Sequence, residues 1–209
     1  MTLSISDASG NSSTKDITVN VVDYATADDE KTTVTNEDDY TVLINKYNAL
    51  EEGYSPDDLA YITDGYMLRE EAAEAFLALV ADAEADGLTI NVISAYRSED
   101  YQTYLYESYM ESDPENAPYY SAYPRTSEHE LGLAVDISYD YELHDDLQES
   151  ELGQWMAEHA AEYGFIVRYP SDKTNLTGYY YEAWHYRYVG VELATYLMEN
   201  DLTLEEFYQ

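Results

Sequence analysis

Apolar and polar positions alternate along this chain with two different periods. From Arg69 to Ala85 the apolar residues recur at helical spacing, the opposite face is acidic, and Gly87 follows as a terminator. Similar patterns predict helices over Tyr101–Met110, Ser150–Tyr163 and Val191–Asn200. Strand-like runs lie at Leu88–Ser94, Gly132–Ser138, Phe165–Tyr169 and Tyr180–Val189. Helices and strands in this mixed order, with strand pairs near the end, predict an α+β domain.

Two stretches before the first long helix carry weaker signals. Tyr40–Asn48 contains adjacent apolar residues and predicts a strand that leads into a loop. Ser55 and Pro56 precede two acidic residues, which is the pattern of an N-cap serine with proline in the first helical turn, and they predict a helix start. Near the C-terminus, Thr203 and Glu206 form a capping-box pattern that predicts a last short turn.

The N-terminal residues have a different character. Leu3–Val22 reads as two short strands around a turn, and two strands are not stable alone. We interpret residues 1–23 as the terminal hairpin of a preceding immunoglobulin-like surface domain; the alternative is an extra hairpin packed on the main domain. Residues 24–38 are polar and acid-rich, as in a linker. The main domain is then predicted to span residues 39–209.

Composition excludes several classes of function. The formal net charge of -35 argues against binding to nucleic acid or to anionic lipid. It suits solubility in an outside or salty setting, or repulsion from anionic polymers and attraction of cations. No apolar run approaches the roughly 20 residues of a membrane span, and Met1 is not followed by a secretion signal. We expect a soluble chain that is a fragment of a longer protein.

The candidate chemistry lies in residues 127–136, SEHELGLAVD, where His129 and Asp136 stand seven positions apart. Histidine nitrogen and carboxylate oxygen are zinc ligands, and a catalytic zinc site needs three protein ligands and an open position. The chain has no cysteine, so a third ligand must come from the same residue types. His185 offers one, and Glu182 precedes it as a candidate base. The alternative is that both histidines are ordinary partly buried residues. A His-Glu-x-x-His helix is excluded because position 133 is Leu133.

The pattern Ser-x-His-x-x-Gly-x-Ala-x-Asp followed by Glu-x-Trp-His resembles the signature of the VanY-type D-alanyl-D-alanine carboxypeptidases. These zinc peptidases belong to a wider group with D,D-dipeptidases and hedgehog domains. The resemblance extends to residues 94–102, 164–170 and 186–190, and it covers most of the chain from Asp39 onward. It implies a hedgehog/D,D-peptidase-like fold, with a small antiparallel central sheet flanked by helices.

The resemblance also implies roles for single residues. His129, Asp136 and His185 would hold Zn²⁺, which lowers the pKa of bound water to about 7, and Glu182 would be the general base. Arg97, just past a predicted strand, would stabilise the oxyanion; a surface ion pair is its alternative role. Three further positions match residues that contact the substrate peptide in this family, namely Gln102, Ser127 and Tyr169.

The function implied is that of a zinc carboxypeptidase that removes the C-terminal D-alanine from peptidoglycan stem peptides. Other activities stay open. Among enzymes with the same metal motifs they are an L,D-carboxypeptidase acting on tetrapeptide stems, a D,D-dipeptidase and a wall endopeptidase; the alternative of a different class is a non-catalytic metal-binding module of the cell surface. The 25 tyrosines include residues 119–120 and 179–181, which flank the motifs and either line a substrate groove or serve as half-buried strand residues. We expect a monomer, extracellular or associated with a bacterial cell wall, with stem peptides as its partners.

Overall fold

The structure is a computed structural model that describes residues 2–6, 12–16 and 30–209. At the N-terminus, β1 (Thr2–Ser6) pairs antiparallel with β2 (Ser12–Asp16). The sequence pattern predicts a hairpin here, with its second strand further along at residues 16–22. Residues 17–22 of that predicted strand lie outside the described part of the chain. Residues 24–29 of the predicted linker also lie outside it.

Residues 30–209 form a mixed set of helices and strands. Its strands are β3 (Thr32–Thr33), β4 (Asn48–Ala49), β5 (Leu59–Thr63), β6 (Tyr66–Arg69), β7 (Asn91–Ser94), β8 (Ala134–Ser138), β9 (Phe165–Tyr169) and β10 (Glu182–Tyr188). Its helices are α1 (Glu70–Ala85), α2 (Glu99–Ser112), α3 (Ala117–Tyr120), α4 (Glu151–His159), α5 (Thr174–Thr177), α6 (Val191–Asn200) and α7 (Leu204–Phe207). Short 3₁₀ turns, Leu147–Glu149 and Ala160–Tyr163, flank α4.

A four-stranded antiparallel sheet with the order β7-β8-β10-β9 forms the centre of this part. Side chains alternate between the two faces of a strand. On β8, Val135 and Ile137 therefore enter the apolar core, whereas Asp136 between them faces the opposite side. The expected α+β fold with a small antiparallel sheet is confirmed.

The apolar face of the sheet is covered by α1 and α4. Phe76 of α1 meets Phe165 of β9 edge to face, with ring centroids 5.9 Å apart, and Met156 of α4 belongs to the same buried cluster. Because one face of the sheet is committed to this core, the other is available for polar side chains.

The predicted strand at Tyr40–Asn48 is wrong except at its end, where Asn48 enters β4. Val42 and Ile44 are buried as their apolar character requires, but this backbone does not join a strand ladder. The Arg187 guanidinium donates to the carbonyls of Tyr40 and Val42, both at 2.9 Å. These backbone carbonyls are thus hydrogen-bonded by a buried arginine of β10 and not by a neighbouring strand.

The predicted helix start at Ser55 and Pro56 is also wrong. The chain instead enters the hairpin of β5 and β6, in which Thr63 pairs with Tyr66 across Asp64 and Gly65. Gly65 has φ +85°, a conformation that glycine adopts without strain. An Asp-Gly pair between apolar runs is a strong hairpin signal, and here it prevails over the helix-capping pattern.

Part of the predicted linker packs on the domain that follows it. Thr32–Thr33 pairs in parallel with Asn48–Ala49, and the Val34 amide donates to the carbonyl of Ala49 at 2.9 Å. Val34 also packs against the main core. The domain boundary at residue 39 remains a prediction, and these contacts favour a boundary nearer residue 30.

Candidate active site

The register between β8 and β10 brings two of the candidate ligands together. His185 lies directly opposite Asp136 in this antiparallel pair. Directly opposed side chains on one face are close enough to touch, and His185 Nδ1 lies 2.9 Å from Asp136 Oδ1. Two residues separated by 49 positions thus become neighbours through sheet pairing.

An irregularity in β10 places Glu182 on the same side as His185. Residues three apart on a regular strand face opposite sides of the sheet. The pairing of β10 with β9 shifts register between Glu182 and Tyr186, as at a β-bulge, and such an irregularity re-aims side chains. As a result Glu182 Oε2 lies 3.8 Å from His185 Nδ1.

The third candidate ligand comes from the loop before β8. His129 Nε2 lies 3.3 Å from Asp136 Oδ2, and its ring centroid is 4.9 Å from that of His185. Its other nitrogen, Nδ1, lies 2.8 Å from the carbonyl of Ala95. Because a carbonyl only accepts hydrogen bonds, Nδ1 carries the proton and the Nε2 lone pair faces the site.

The three side chains fit a zinc ion by donor type and by geometry. One donor atom from each of His129, Asp136 and His185 lies within 4.8 Å of the others, and all three residues are buried. Two nitrogens and one oxygen, with the fourth position open, form a catalytic type of ligand set. Burial lowers the pKa of His129 to about 4, so its ring is in the neutral form that metal binding requires.

Glu182 has the environment of a general base. It is 8% exposed, and burial raises its pKa to about 8 against the opposing influence of the His185 charge. A carboxyl group whose pKa lies near neutrality is suited to exchange protons at physiological pH. Glu182 lies beside His185 on the wall of the same cleft, and its role as the general base remains a prediction.

Arg97 points its guanidinium into the site from the end of β7. Its Nη2 donates to Asp136 Oδ2 at 3.0 Å, and its Nε donates to Ser94 Oγ at 2.9 Å. Arg97 is therefore not a surface ion pair, because Asp136 is a buried candidate ligand. The remaining Nη1 donates to Gln102 Oε1 at 3.3 Å.

Gln102 lies behind Arg97 and does not line the cleft. Its amide nitrogen donates to the carbonyl of Ala122 at 2.7 Å, its oxygen accepts from Arg97, and the residue is 1% exposed. Both ends of the side chain are thus bonded to protein groups. We propose that Gln102 orients Arg97, in place of the direct substrate contact that the resemblance implied.

Ser127 and Tyr169 line a cleft of about 280 Å³ together with the candidate ligands. The Tyr169 ring lies 5.0 Å from that of His185, and Ser127 Oγ accepts from the His129 amide at 3.3 Å. Tyr109 is a further lining residue, and so are Tyr120 and Tyr179, one residue from each of the two tyrosine runs; the other tyrosines of those runs do not line this cleft.

One buried carboxylate in the site was not found by the sequence analysis. Glu128 is 1% exposed, and its Oε2 lies 3.4 Å from His185 Nε2. Burial alone would raise the pKa of Glu128, but the charges of Arg168 and Arg187 hold it well below its usual range. The only sequence signal is the presence of two arginines inside predicted strands of a chain with nine basic residues.

Comparisons with known proteins place this geometry in a family. The family model described as VanY, D-alanyl-D-alanine carboxypeptidase, matches residues 65–191, which include every candidate ligand. The chain belongs to the VanY family. The predicted family, and with it the predicted class of enzyme, is confirmed.

Individual VanY-family relatives and solved structures agree with this membership. YodJ of Bacillus subtilis (strain 168), whose name describes it as a carboxypeptidase, is 37% identical over 191 residues, 85% of this chain and 70% of YodJ. The structure of the LdcB LD-carboxypeptidase has a TM-score of 0.80 at 36% identity and covers 89% of this chain and 92% of that chain. A variant of the vancomycin-resistance D,D-pentapeptidase VanY, in complex with Zn(II), has a TM-score of 0.71 at 32% identity over 81% of this chain and 99% of that chain.

Proposed function

We propose that this VanY-family chain is a zinc carboxypeptidase that releases the C-terminal D-alanine from peptidoglycan stem peptides. The observation that carries the proposal is the buried carboxylate of Glu182, which lies 3.8 Å from His185 Nδ1 on the wall of the same cleft as the three candidate ligands. A module that only binds metal has no need of a buried base there. Zn²⁺ at these ligands would polarise the scissile carbonyl and activate a water molecule.

The residues of the chain divide the remaining work. Glu182 takes a proton from the attacking water and passes it to the leaving amine of D-alanine. Arg97 stabilises the negative charge that develops on the carbonyl oxygen. Its guanidinium is in reach of this charge because Nη2 lies beside Asp136, a candidate zinc ligand. Ser127 and Tyr169 offer hydroxyl donors on the cleft wall for a backbone carbonyl or the terminal carboxylate.

An assay with defined stem peptides tests the proposal. The chain is incubated with a pentapeptide stem, and the products are identified by mass spectrometry. We expect release of a single D-alanine and loss of release when the C-terminus is blocked as an amide. Free D-Ala-D-Ala should be a poor substrate, because the tyrosine-lined groove offers contacts for upstream residues.

Metal analysis of the same preparations tests the ligands. The parent chain should hold about one zinc, and His129→Ala, Asp136→Ala and His185→Ala should each lose it. Equal cleavage of the amidated stem would contradict carboxypeptidase action, and zinc retention in all three variants would contradict the ligand assignment. Zinc binding without product from any stem would favour the non-catalytic module.

A specific observation supports a second candidate, the L,D-carboxypeptidase. The structure of LdcB, described as an LD-carboxypeptidase, aligns with this chain over 92% of the LdcB chain, with a TM-score of 0.80. A tetrapeptide stem in the assay separates the two activities, because only an L,D-carboxypeptidase releases its terminal D-alanine. We favour the pentapeptide stem as the better substrate.

The proposed substrate also bears on where the chain works. In the described part of the chain, no helix has the length and apolarity needed to cross a bilayer. We propose that the chain acts as a monomer on the outer side of the bacterial membrane, where peptidoglycan lies. We expect to recover its activity from the wall fraction of the producing cells. In size-exclusion chromatography the purified chain should elute at the volume of a monomer.

A further inference from the structure

The carboxylate of Glu128 divides its two oxygens between different partners. Oε1 accepts hydrogen bonds from Arg168 Nε at 2.7 Å and from Arg187 Nη1 at 2.8 Å. Oε2 faces the candidate ligand His185, with 3.4 Å between Oε2 and the ring Nε2. Although Glu128 precedes the candidate ligand His129 in sequence, its side chain thus reaches the other candidate histidine.

The arginine partners are held in place from their far sides. Arg168 forms a two-pronged ion pair with Glu205, with Nη1 to Oε2 at 2.8 Å and Nη2 to Oε1 at 2.7 Å. Arg187 also donates to the carbonyls of Tyr40 and Val42. The four charged side chains, Glu128, Arg168, Arg187 and Glu205, are all buried. Removing any one of these charges would leave a buried opposite charge without its full compensation. Glu128 is therefore fixed in one orientation.

This orientation determines which nitrogen of His185 keeps its proton when a metal ion is bound. An ionised carboxylate only accepts hydrogen bonds, so the nitrogen facing Glu128 must be a donor. Nδ1, on the other side of the ring, lies 2.9 Å from Asp136 Oδ1, which is also a carboxylate, so without a metal ion this nitrogen donates as well. A histidine must release a proton to bind a metal ion. The Nδ1 proton faces the other candidate ligands, whereas the Nε2 proton faces Glu128. His129 has the opposite arrangement, because its Nδ1 is bonded to the Ala95 carbonyl.

We propose that Glu128 is a positioning residue, which keeps the proton of His185 on Nε2 so that Nδ1 presents its lone pair to the metal ion. The inference rests on the zinc site of the proposed function. A ligating histidine commonly donates its second N–H to a carboxylate or carbonyl, and loss of such a partner typically costs about 10- to 100-fold in metal affinity.

The test compares Glu128→Gln with a matched control, Glu205→Gln. Both substitutions remove one carboxylate charge from Arg168, but the hydrogen bonds of Glu205 are to Arg168 and Asn45, whereas Glu128 contacts His185. The dissociation constant for zinc is measured by competition with a chelator. We expect about 10- to 100-fold weaker binding for Glu128→Gln and a change of less than about threefold for Glu205→Gln. Thermal unfolding of the metal-free chains should show destabilisation in both variants.

Equal zinc affinity in Glu128→Gln and the parent would overturn the inference. A loss of zinc affinity in Glu205→Gln as large as that in Glu128→Gln would also overturn it, because it would indicate a purely structural network. A measurement on the parent protects the test if Glu128→Gln does not fold. Long-range ¹H–¹⁵N correlation spectra of the zinc-loaded parent should show His185 protonated at Nε2, and a proton at Nδ1 would overturn the inference. A parent that binds no zinc would overturn the proposed function as well.

Discussion

Glu182 and Arg97 reach the cleft from different strands, and single substitutions separate what each contributes. Glutamine has the shape of glutamate, but its amide cannot take a proton from water. We expect Glu182→Gln to keep its zinc and fold and to lose about 100- to 10,000-fold in kcat. Stem-peptide kinetics, together with elemental analysis, measure both quantities.

Glu158→Gln is a matched control for Glu182→Gln, since Glu158 is an exposed residue of α4 away from the cleft. Its activity should equal that of the parent. If Glu182→Gln retains activity within a few-fold of the parent, another group takes the proton and the assigned role of Glu182 is wrong.

Arg97 should act mainly on the transition state. Its contact with an oxyanion exists only once water has attacked, so its removal should lower kcat more than it raises KM. We expect Arg97→Ala to lose about 100- to 1,000-fold in kcat. Arg97→Lys should recover little, because an ammonium cannot bond Ser94, Gln102 and Asp136 with the fixed geometry of a guanidinium.

Arg97 Nη2 contacts a candidate metal ligand, so zinc content needs to be measured in both variants. Retained zinc with reduced kcat supports the oxyanion role. A rise in KM at unchanged kcat would instead indicate that Arg97 binds substrate and transition state equally.

Among the elements, the short parallel pair β3 and β4 decides where the catalytic domain begins. The amides of Thr32 and Val34 donate to the carbonyls of Tyr47 and Ala49, and Arg69 donates to the Glu37 carbonyl at 3.0 Å. At about 1 kcal/mol for each hydrogen bond, a chain beginning at Asp39 should be less stable by about 1–3 kcal/mol than one beginning at Glu30.

Urea unfolding of the two truncated chains measures this difference. The chain beginning at Glu30 serves as the reference and should turn over stem peptides like the full chain, because residues 1–23 are predicted to belong to a neighbouring domain. Equal unfolding midpoints for both chains would restore residue 39 as the domain boundary.

The whole molecule carries a formal charge of -35, and most of it must lie on the surface. Self-repulsion among these carboxylates destabilises the folded state, and salt screens it, since the Debye length falls from about 30 Å at 0.01 M to about 3 Å at 1 M. We expect the melting temperature at pH 7 to rise by roughly 2–8 °C between 10 and 500 mM NaCl, which corresponds to about 1–2 kcal/mol.

KCl and LiCl at the same ionic strengths are the controls, because screening does not depend on the identity of the cation. A rise with only one of the salts would indicate specific cation binding. A melting temperature that stays constant or falls in all three would show that surface repulsion does not limit the stability of this chain.

The amino-acid sequence by itself determined the long helix α1, the strands of the central sheet, and the trio of His129, Asp136 and His185. Periodicity reports which residues are buried on a local element. The ligand residue types are visible without coordinates, and the resemblance to a family joined them into one set. The helix-capping pattern at Ser55 competes with the hairpin signal at Asp64 and Gly65. Periodicity does not say which of the two prevails, and the predicted helix start was wrong.

The tertiary structure alone decided how side chains from distant elements meet. The irregularity in β10 that turns Glu182 toward His185 depends on the pairing with β9, and the place of Gln102 behind Arg97 depends on the Ala122 carbonyl. Glu128 reaches Arg168 and Arg187 across 40 and 59 positions. Such partners are chosen by packing in three dimensions, and no local pattern of apolar and polar residues encodes them.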